Sequence, residues 1–306
     1  MTSDEVLHAF DSLRVWQRGG QRAVHKPLLV LLALGRLARG EAPMTEFSEI
    51  EEPLRKLLAE FGPSSAAKSR NYPFWHLRTD GVWRLDGPAS VLDRPAGATP
   101  TLTELRREHI AGGLEPEIVS ALRDRPELIP LLARRIVEAH FPESIQQDVL
   151  DAAGLPAATA GPAQSGETLG LGAARRDPAF RERVLRAYEY RCCICRYDLR
   201  LGGQVVGLEA AHIKWFQAGG PDLEPNGLAL CSLHHKLFDL GGFKVLPETY
   251  AVIVSQSLVG SLEARDKMLA FHGAGIVLPQ SKKYLPRAEF LEWQGSQVFK
   301  EPGRDL

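Results

Sequence analysis

The sequence predicts an α+β chain of two domains. The first is mainly helical with a small β-hairpin, and the second is built around a strand-strand-helix unit stapled by a tetrahedral metal site. Three observations carry this. Apolar residues recur at helical spacing through most of residues 4–153. A stretch at 154–174, rich in Ala, Gly and Pro and without an aromatic residue, separates the halves. Cys192/Cys195 and Cys231/His234 form two pairs of soft donors, each spaced so that both side chains can face one zinc ion. At 306 residues the chain is long enough for two domains, each with its own core.

The elements follow in order. Apolar residues at 6, 7, 10, 13 and 16 predict a helix over 4–18, ended by Gly19-Gly20. The dense apolar run 27–37 predicts a core helix with Pro27 in its first turn. Residues 46–61 set Leu54, Leu57, Leu58 and Phe61 among acids and predict an amphipathic helix stopping at Gly62-Pro63. The β-prone runs 74–78 and 82–85 flank Thr79-Asp80-Gly81 and predict the hairpin. Helices are expected over 102–122, 128–141 and 144–153. In the second half, 177–190 reads as a helix, 204–213 and 227–230 as strands, and 232–240 as a short helix capped by Gly241-Gly242. A strand pair over 243–255 and a closing helix over 287–299 complete it. The expected limits are 1–155 for the first domain, 156–176 for a flexible linker and 177–306 for the second domain.

Composition narrows the function classes. Hydrophobic residues make up 44% and charged residues 25%, as in a soluble globular protein, and no apolar run approaches the roughly 20 residues needed to span a bilayer. The polar, acidic start Met1-Thr2-Ser3-Asp4-Glu5 does not read as a secretion signal. Four cysteines, three of them within 192–195, argue against a disulfide framework and for a reduced metal site, so the cytoplasm is the expected compartment. A net charge of −1 means that any nucleic-acid contact comes from local patches. One patch is 175–200, where eight arginines face four acids. Another is Lys68, Arg70, His76, Arg78 and Arg84, with Asp80 the acid among them.

His212, Asn226 and His235, interleaved with the two donor pairs, resemble the motif of the HNH endonucleases over about residues 185–245. The resemblance implies a ββα-metal finger holding one catalytic divalent metal against a scissile phosphate, beside a structural zinc on Cys192, Cys195, Cys231 and His234. Phosphodiester hydrolysis needs an activated water and a cation that neutralises charge on the phosphate. His212 suits a general base, since a near-neutral imidazole takes a proton from water at physiological pH. Asn226 can both donate and accept, and so can pin the loop 214–225 and orient His212. His235 is the expected catalytic-metal ligand, with Asp239 one turn along the same helical face. The sequence departs from the family pattern at Ala211, where the residue before the base is often an acidic ligand. Glu209 is expected on the opposite strand face from His212 and ranks below Asp239 as a ligand. A site of this kind takes magnesium, manganese, cobalt or nickel. Cys193 is out of register with the donor pairs and reads as a buried thiol.

The first half resembles the sulfur-binding domain of the type IV, McrA-like, phosphorothioate-dependent restriction endonucleases, in which that domain precedes an HNH domain. The resemblance rests on 25–36 (His-Lys-Pro-Leu-Leu-Val-Leu-Leu-Ala-Leu-Gly-Arg), 61–63, 72–77 (Tyr-Pro-Phe-Trp-His-Leu) and Gly112-Gly113, and spans about residues 4–155. It implies cleavage of double-stranded DNA in which sulfur replaces a non-bridging phosphate oxygen. Sulfur is larger and more weakly hydrated than oxygen, so a shallow apolar cup discriminates it, and Tyr72, Pro73 and His76 are the expected lining. Arg70, Asn71, Arg22, His25 and Lys26 are candidates for flanking phosphates or base edges, and Arg107 and His109, with Arg106, form a further set. Two other readings stand: an HNH endonuclease that reads a modified base, and a non-catalytic zinc-containing DNA-binding regulator. A double-strand cut by a single-site nuclease requires a homodimer or two independent nicks, and the residues do not decide between them.

Overall fold

The computed structural model describes residues 1–13, 17–18, 21–22, 24–95, 97–155 and 177–306, with 17–18 and 21–22 described as backbone. The chain divides into two compact units, Met1–Gln164 and Ser165–Leu306. The expected linker at 156–176, with Arg175 and Arg176 of the basic patch, lies outside the described residues.

In the first unit, α1 (Ser3–Asp11) opens on a capping box in which Thr2 Oγ1 accepts the Glu5 N–H and the Glu5 carboxylate accepts the Thr2 N–H. The expected extension to residue 18 does not form. Gln17–Arg18 (β1) pairs antiparallel with Gln21–Arg22 (β2), so these residues are strand where a helix was expected, and the expected stop at Gly19-Gly20 lies outside the described residues. Next comes α2 (His25–Ala38), whose residues 28–32 are buried without a break. A helix apolar on all sides belongs at the centre of a core, and α2 packs against α3 (Phe47–Phe61), α4 (Asn71–His76) and α8 (Leu128–His140). α3 turns Phe47, Ile50, Leu54, Leu57, Leu58 and Phe61 inward.

The hairpin expected at 74–85 is replaced by α4 and a following 3-10 turn, Leu77–Asp80. Pro73, Phe74 and Trp75 are buried in succession, and Pro73 falls in the first turn of α4, where its missing N–H leaves no helical hydrogen bond unmade. Gly81, at φ 75°, ends the turn in the left-handed region instead of forming a hairpin loop. The strand that remains, β4 (Trp83–Asp86), pairs with β5 (Ala111–Leu114), which pairs on its other edge with β3 (Met44–Glu46). α5 (Ala89–Leu92) follows β4. The helix expected over 102–122 is correspondingly split into α6 (Leu102–Arg107), β5 and α7 (Pro116–Asp124). Gly112 and Gly113 explain the split: a Cβ on Gly112 would lie 2.7 Å from the Phe74 ring, and one on Gly113 2.0 Å from the Pro43 carbonyl oxygen. Only a bare backbone fits as the central strand here. α8 and α9 (Glu143–Ala152) close the unit.

The second unit starts with α10 (Phe180–Ala187). A small hairpin, β6 (Arg200–Leu201) with β7 (Gln204–Val205), precedes the central pair, β8 (Leu208–His212) and β9 (Gly227–Cys231), antiparallel with Leu208 opposite Cys231 and His212 opposite Gly227. α11 (Ser232–Asp239) leaves β9 directly, giving the strand-strand-helix unit. β10 (Phe243–Val245) and β11 (Val252–Val254) form a third hairpin against α13 (Ala288–Gln297). In this unit α12 (Leu262–Leu269), whose Ser261 cap accepts the Ala264 N–H, goes beyond the sequence expectation. Among the described residues no helix is long and apolar enough to cross a membrane.

Candidate functional site

The donor pairs converge. Cys192 and Cys195 sit on a tight turn after α10, closed by a hydrogen bond from the Arg196 N–H to the Cys192 carbonyl, with Arg196 at φ 63°. Cys231 ends β9 and His234 lies in the first turn of α11. Their ligand atoms all lie within 4.8 Å of one another, and none of the cysteines forms a disulfide. Three sulfurs and one imidazole nitrogen in this arrangement fit a tetrahedral thiophilic cation. Cys193 points away into the core, fully buried, while its N–H bonds the Ala229 carbonyl and docks the turn on β9. Burial pushes its thiol pKa well above the ordinary value, as befits a packing residue.

The three motif residues surround the base of the ββα unit. Asn226 has no solvent exposure: its Oδ1 accepts the Lys214 N–H at 2.9 Å, and its Nδ2 donates to the carbonyls of Lys214 and Pro221, both at 3.0 Å. It ties both ends of the loop that follows β8. The loop folds tightly enough that a Cβ on Gly220 would meet the Lys214 carbonyl oxygen at 1.8 Å. His212, the last residue of β8, stacks on Phe180 of α10 with centroids 4.1 Å apart and planes 17° apart, and its Nε2 lies 2.7 Å from Asp222 Oδ1.

His235 stands between two carboxylates, Nδ1 at 2.6 Å from Glu209 Oε2 and Nε2 at 3.1 Å from Asp239 Oδ2. Burial alone would lower its pKa, but Asp239 and Glu209 override burial and raise it to about 10. Glu209 is lowered to about 2, chiefly by the His235 hydrogen bond. The sequence ranked Glu209 below Asp239, yet both meet the same imidazole. Strand alternation turns Glu209 away from the side of His212, and that side is where α11 begins. Asp239 is also held by Trp215, whose Nε1 donates to Oδ1 at 3.1 Å. Three residues here escape the sequence reading: Asp222, Phe180 and Trp215.

In the first unit the candidates separate into groups. Tyr72 and His76 share one face of α4, with rings 5.7 Å apart, and Tyr72 is 53% exposed while Pro73 is buried. His76 Nε2 meets Thr99 Oγ1 at 2.8 Å, and Asn71 Nδ2 donates to the Pro100 carbonyl at 2.8 Å, so the 99–100 segment lies along this face. Burial, then the charges of Lys26 and Arg78, lower the His76 pKa. Lys26 pairs with Asp80 at 2.6 Å. His25, the first residue of α2, has a pKa lowered by burial. Arg70 turns instead to the buried Glu51, which also takes two hydrogen bonds from Arg106. Arg107 is exposed beside Glu108, and His109, at φ 48°, pairs with Glu46 at 3.0 Å. Arg22 is described only as backbone in β2.

Comparisons with known proteins bear on both units. Residues 3–158 match the family described as ScoMcrA-like, DNA sulfur-binding domain, and residues 192–245 match the family described as HNH endonuclease. Among solved structures, the sulfur binding domain of ScoMcrA complexed with phosphorothioated DNA is 23% identical, over 49% of this chain and 94% of that one, with a TM-score of 0.43. The corresponding domain of SprMcrA with phosphorothioated DNA is 22% identical, over 51% and 95%, with a TM-score of 0.40. The type IV phosphorothioation-dependent restriction endonuclease ScoMcrA is 23% identical over 49% of this chain and 32% of its own, with a TM-score of 0.41. No curated protein matches the chain.

Proposed function

Because the chain belongs to the ScoMcrA-like DNA sulfur-binding domain family and carries an HNH endonuclease domain after it, we propose that it is a modification-dependent DNA endonuclease, which binds phosphorothioated double-stranded DNA through residues 1–155 and hydrolyses phosphodiester bonds nearby. The observation that carries the reading is the pairing itself. A module that distinguishes sulfur from oxygen has no need of a hydrolytic centre, and an HNH finger needs a reader to limit where it cuts.

On this reading Cys192, Cys195, Cys231 and His234 hold a structural zinc that fixes the start of α11. His235 and Asp239, with Glu209 beside them, would be the donors for a catalytic cation, magnesium, manganese, cobalt or nickel, whose binding would displace the proton that the two carboxylates hold on the imidazole and which would supply charge neutralisation at the phosphate and leaving oxygen. His212 takes the proton of the attacking water, and Asn226 keeps the loop after β8 in place. At the other site, exposed Tyr72 and the ring of His76 offer apolar surface to sulfur over buried Pro73, and Lys26, with His25 nearby in sequence, offers positive charge to flanking phosphates. Arg70, like Lys26 and Arg106, would have to leave a carboxylate partner to reach the DNA.

The test is cleavage of two duplexes of identical sequence, one with stereodefined phosphorothioate linkages and one without, in manganese and in EDTA. Metal-dependent cutting confined to the sulfur-bearing duplex is the expected result. Equal cutting of both would reject sulfur recognition and leave the nuclease, whereas no cutting of either, with tight binding to the modified duplex, would favour a non-catalytic regulator.

A further inference from the structure

Asp222 belongs to the loop after β8, ten residues past His212, and its side chain is 12% exposed. Its two oxygens are engaged on opposite sides. Oδ1 faces His212 Nε2 at 2.7 Å, and Oδ2 accepts the backbone N–H of Asp177 at 2.6 Å. The backbone around it is fixed as well: Arg183 of α10 donates to the Asp222 carbonyl at 2.7 Å, while the same guanidinium pairs with Asp177 at 2.6 Å and lies 3.4 Å from Glu224. Asn226 holds the neighbouring Pro221 carbonyl. The imidazole that Asp222 meets is pressed flat against Phe180, also on α10. A glycine at position 227 lets α10 come this close, because a Cβ there would lie 2.4 Å from a Val184 methyl.

We propose that Asp222 is the positioning residue of the general base, a role that rests on the nuclease reading given above. An ionised carboxylate only accepts, so it selects the tautomer of His212 that carries its proton on Nε2 and makes Nδ1 the basic nitrogen. It also stabilises the imidazolium formed when His212 takes a proton from water, without taking that proton itself. Phe180 sets the ring plane and Asp222 the rotation within that plane, so one orientation survives. Both holds come from outside the residues that define the motif, since Phe180 and Asp177 precede position 192 and Asp222 is none of His212, Asn226 and His235.

The experiment uses the full chain with Asp222→Asn, Asp222→Glu and His212→Ala. Single-turnover cleavage of the phosphorothioated duplex in manganese is followed across pH 5.5–9, with binding of the same duplex and thermal unfolding as controls. Asp222→Asn should slow cleavage by about 10–100-fold with binding unchanged and only a small fall in the melting temperature, since the amide has one acceptor for two donors, and should move the acidic limb of the pH profile to lower pH, because the imidazole loses its carboxylate. Asp222→Glu should restore part of the rate. A slowed enzyme with an unmoved pH profile would reduce Asp222 to a loop support and overturn the proposal, as would an unaltered rate. Nitrogen-15 NMR of the histidine rings gives a reading that does not depend on cleavage: a His212 signal, identified by its loss in His212→Ala, protonated on Nε2 in the parent and shifted toward Nδ1 in Asp222→Asn supports the role, and an identical tautomer in both rejects it. Loss of cleavage in the parent with the tautomer shift intact would instead sink the nuclease reading.

Discussion

Two atoms of Asn226 make three hydrogen bonds in a place that water does not reach. Replacing it by alanine would strand the Lys214 N–H and two carbonyls, at a cost of about 1–3 kcal/mol. Asn226→Ala is therefore expected to lower the denaturant midpoint of the second unit and to reduce cleavage more than tenfold while leaving affinity for modified DNA intact; unchanged cleavage would show that the loop holds itself. At this scale the sequence was legible wherever function is encoded by short spacing. The donors lie three residues apart within each pair, so local geometry joins each pair, and the docking of the 192–195 turn on β9 brings the two pairs to a common point. Asp222 was not legible, because Gly219-Gly220-Pro221-Asp222 reads as ordinary turn chemistry. Its partner lies ten residues away, and only the folded loop closes that distance.

Among elements, β5 shows what a strand built on Ala-Gly-Gly-Leu requires. A side chain at Gly112 would enter the space of Phe74 and Trp83, whose ring atoms lie 2.7–2.8 Å from the site of a Cβ. Gly112→Ala should destabilise the first unit by about 1–3 kcal/mol, measured as a lower melting temperature, with zinc content unaltered. At α6, Arg94 and then the Thr101 backbone and hydroxyl hold Glu104 at a pKa of about 2, below its ordinary 4.5. A depressed carboxylate stabilises the fold fully above its ordinary value and loses that contribution as pH falls toward 2. Glu104→Gln should therefore melt less steeply than the parent between pH 4.5 and pH 2; equal slopes would show that the cap is of no consequence. Helices α2 and α3 were readable because their apolar period persists over several turns. Residues 71–80 were not, since Asp-Gly outweighed the consecutive apolar residues before it, and the single helix expected over 102–122 failed because two glycines were read as tolerable within a helix when they serve close strand packing.

For the molecule as a whole, each unit has its own core, and the cluster of Cys192, Cys195, Cys231 and His234 belongs to the second alone. Structural metal binding of this kind is folding free energy. If the cluster holds zinc as proposed, a chelator strong enough to strip it from thiolates should abolish the calorimetric transition of the second unit and leave that of the first at its original temperature. Loss of both transitions would mean that the units fold as one. The two-unit organisation was legible from composition, because a stretch without aromatic residues has little to bury; the attachment of the second unit to its own leading segment was not. Asp177, the first residue described after the expected linker, supplies a main-chain hydrogen to Asp222, and Phe180 lies under His212. Grafting this cutting module onto another DNA reader therefore has a definite upstream limit. A fragment trimmed to residues 192–245 would carry every motif residue and Asp222 yet lose the Phe180 ring under His212 and the Asp177 and Arg183 bonds that fix Asp222, while one that begins at or before Asp177 takes that support along.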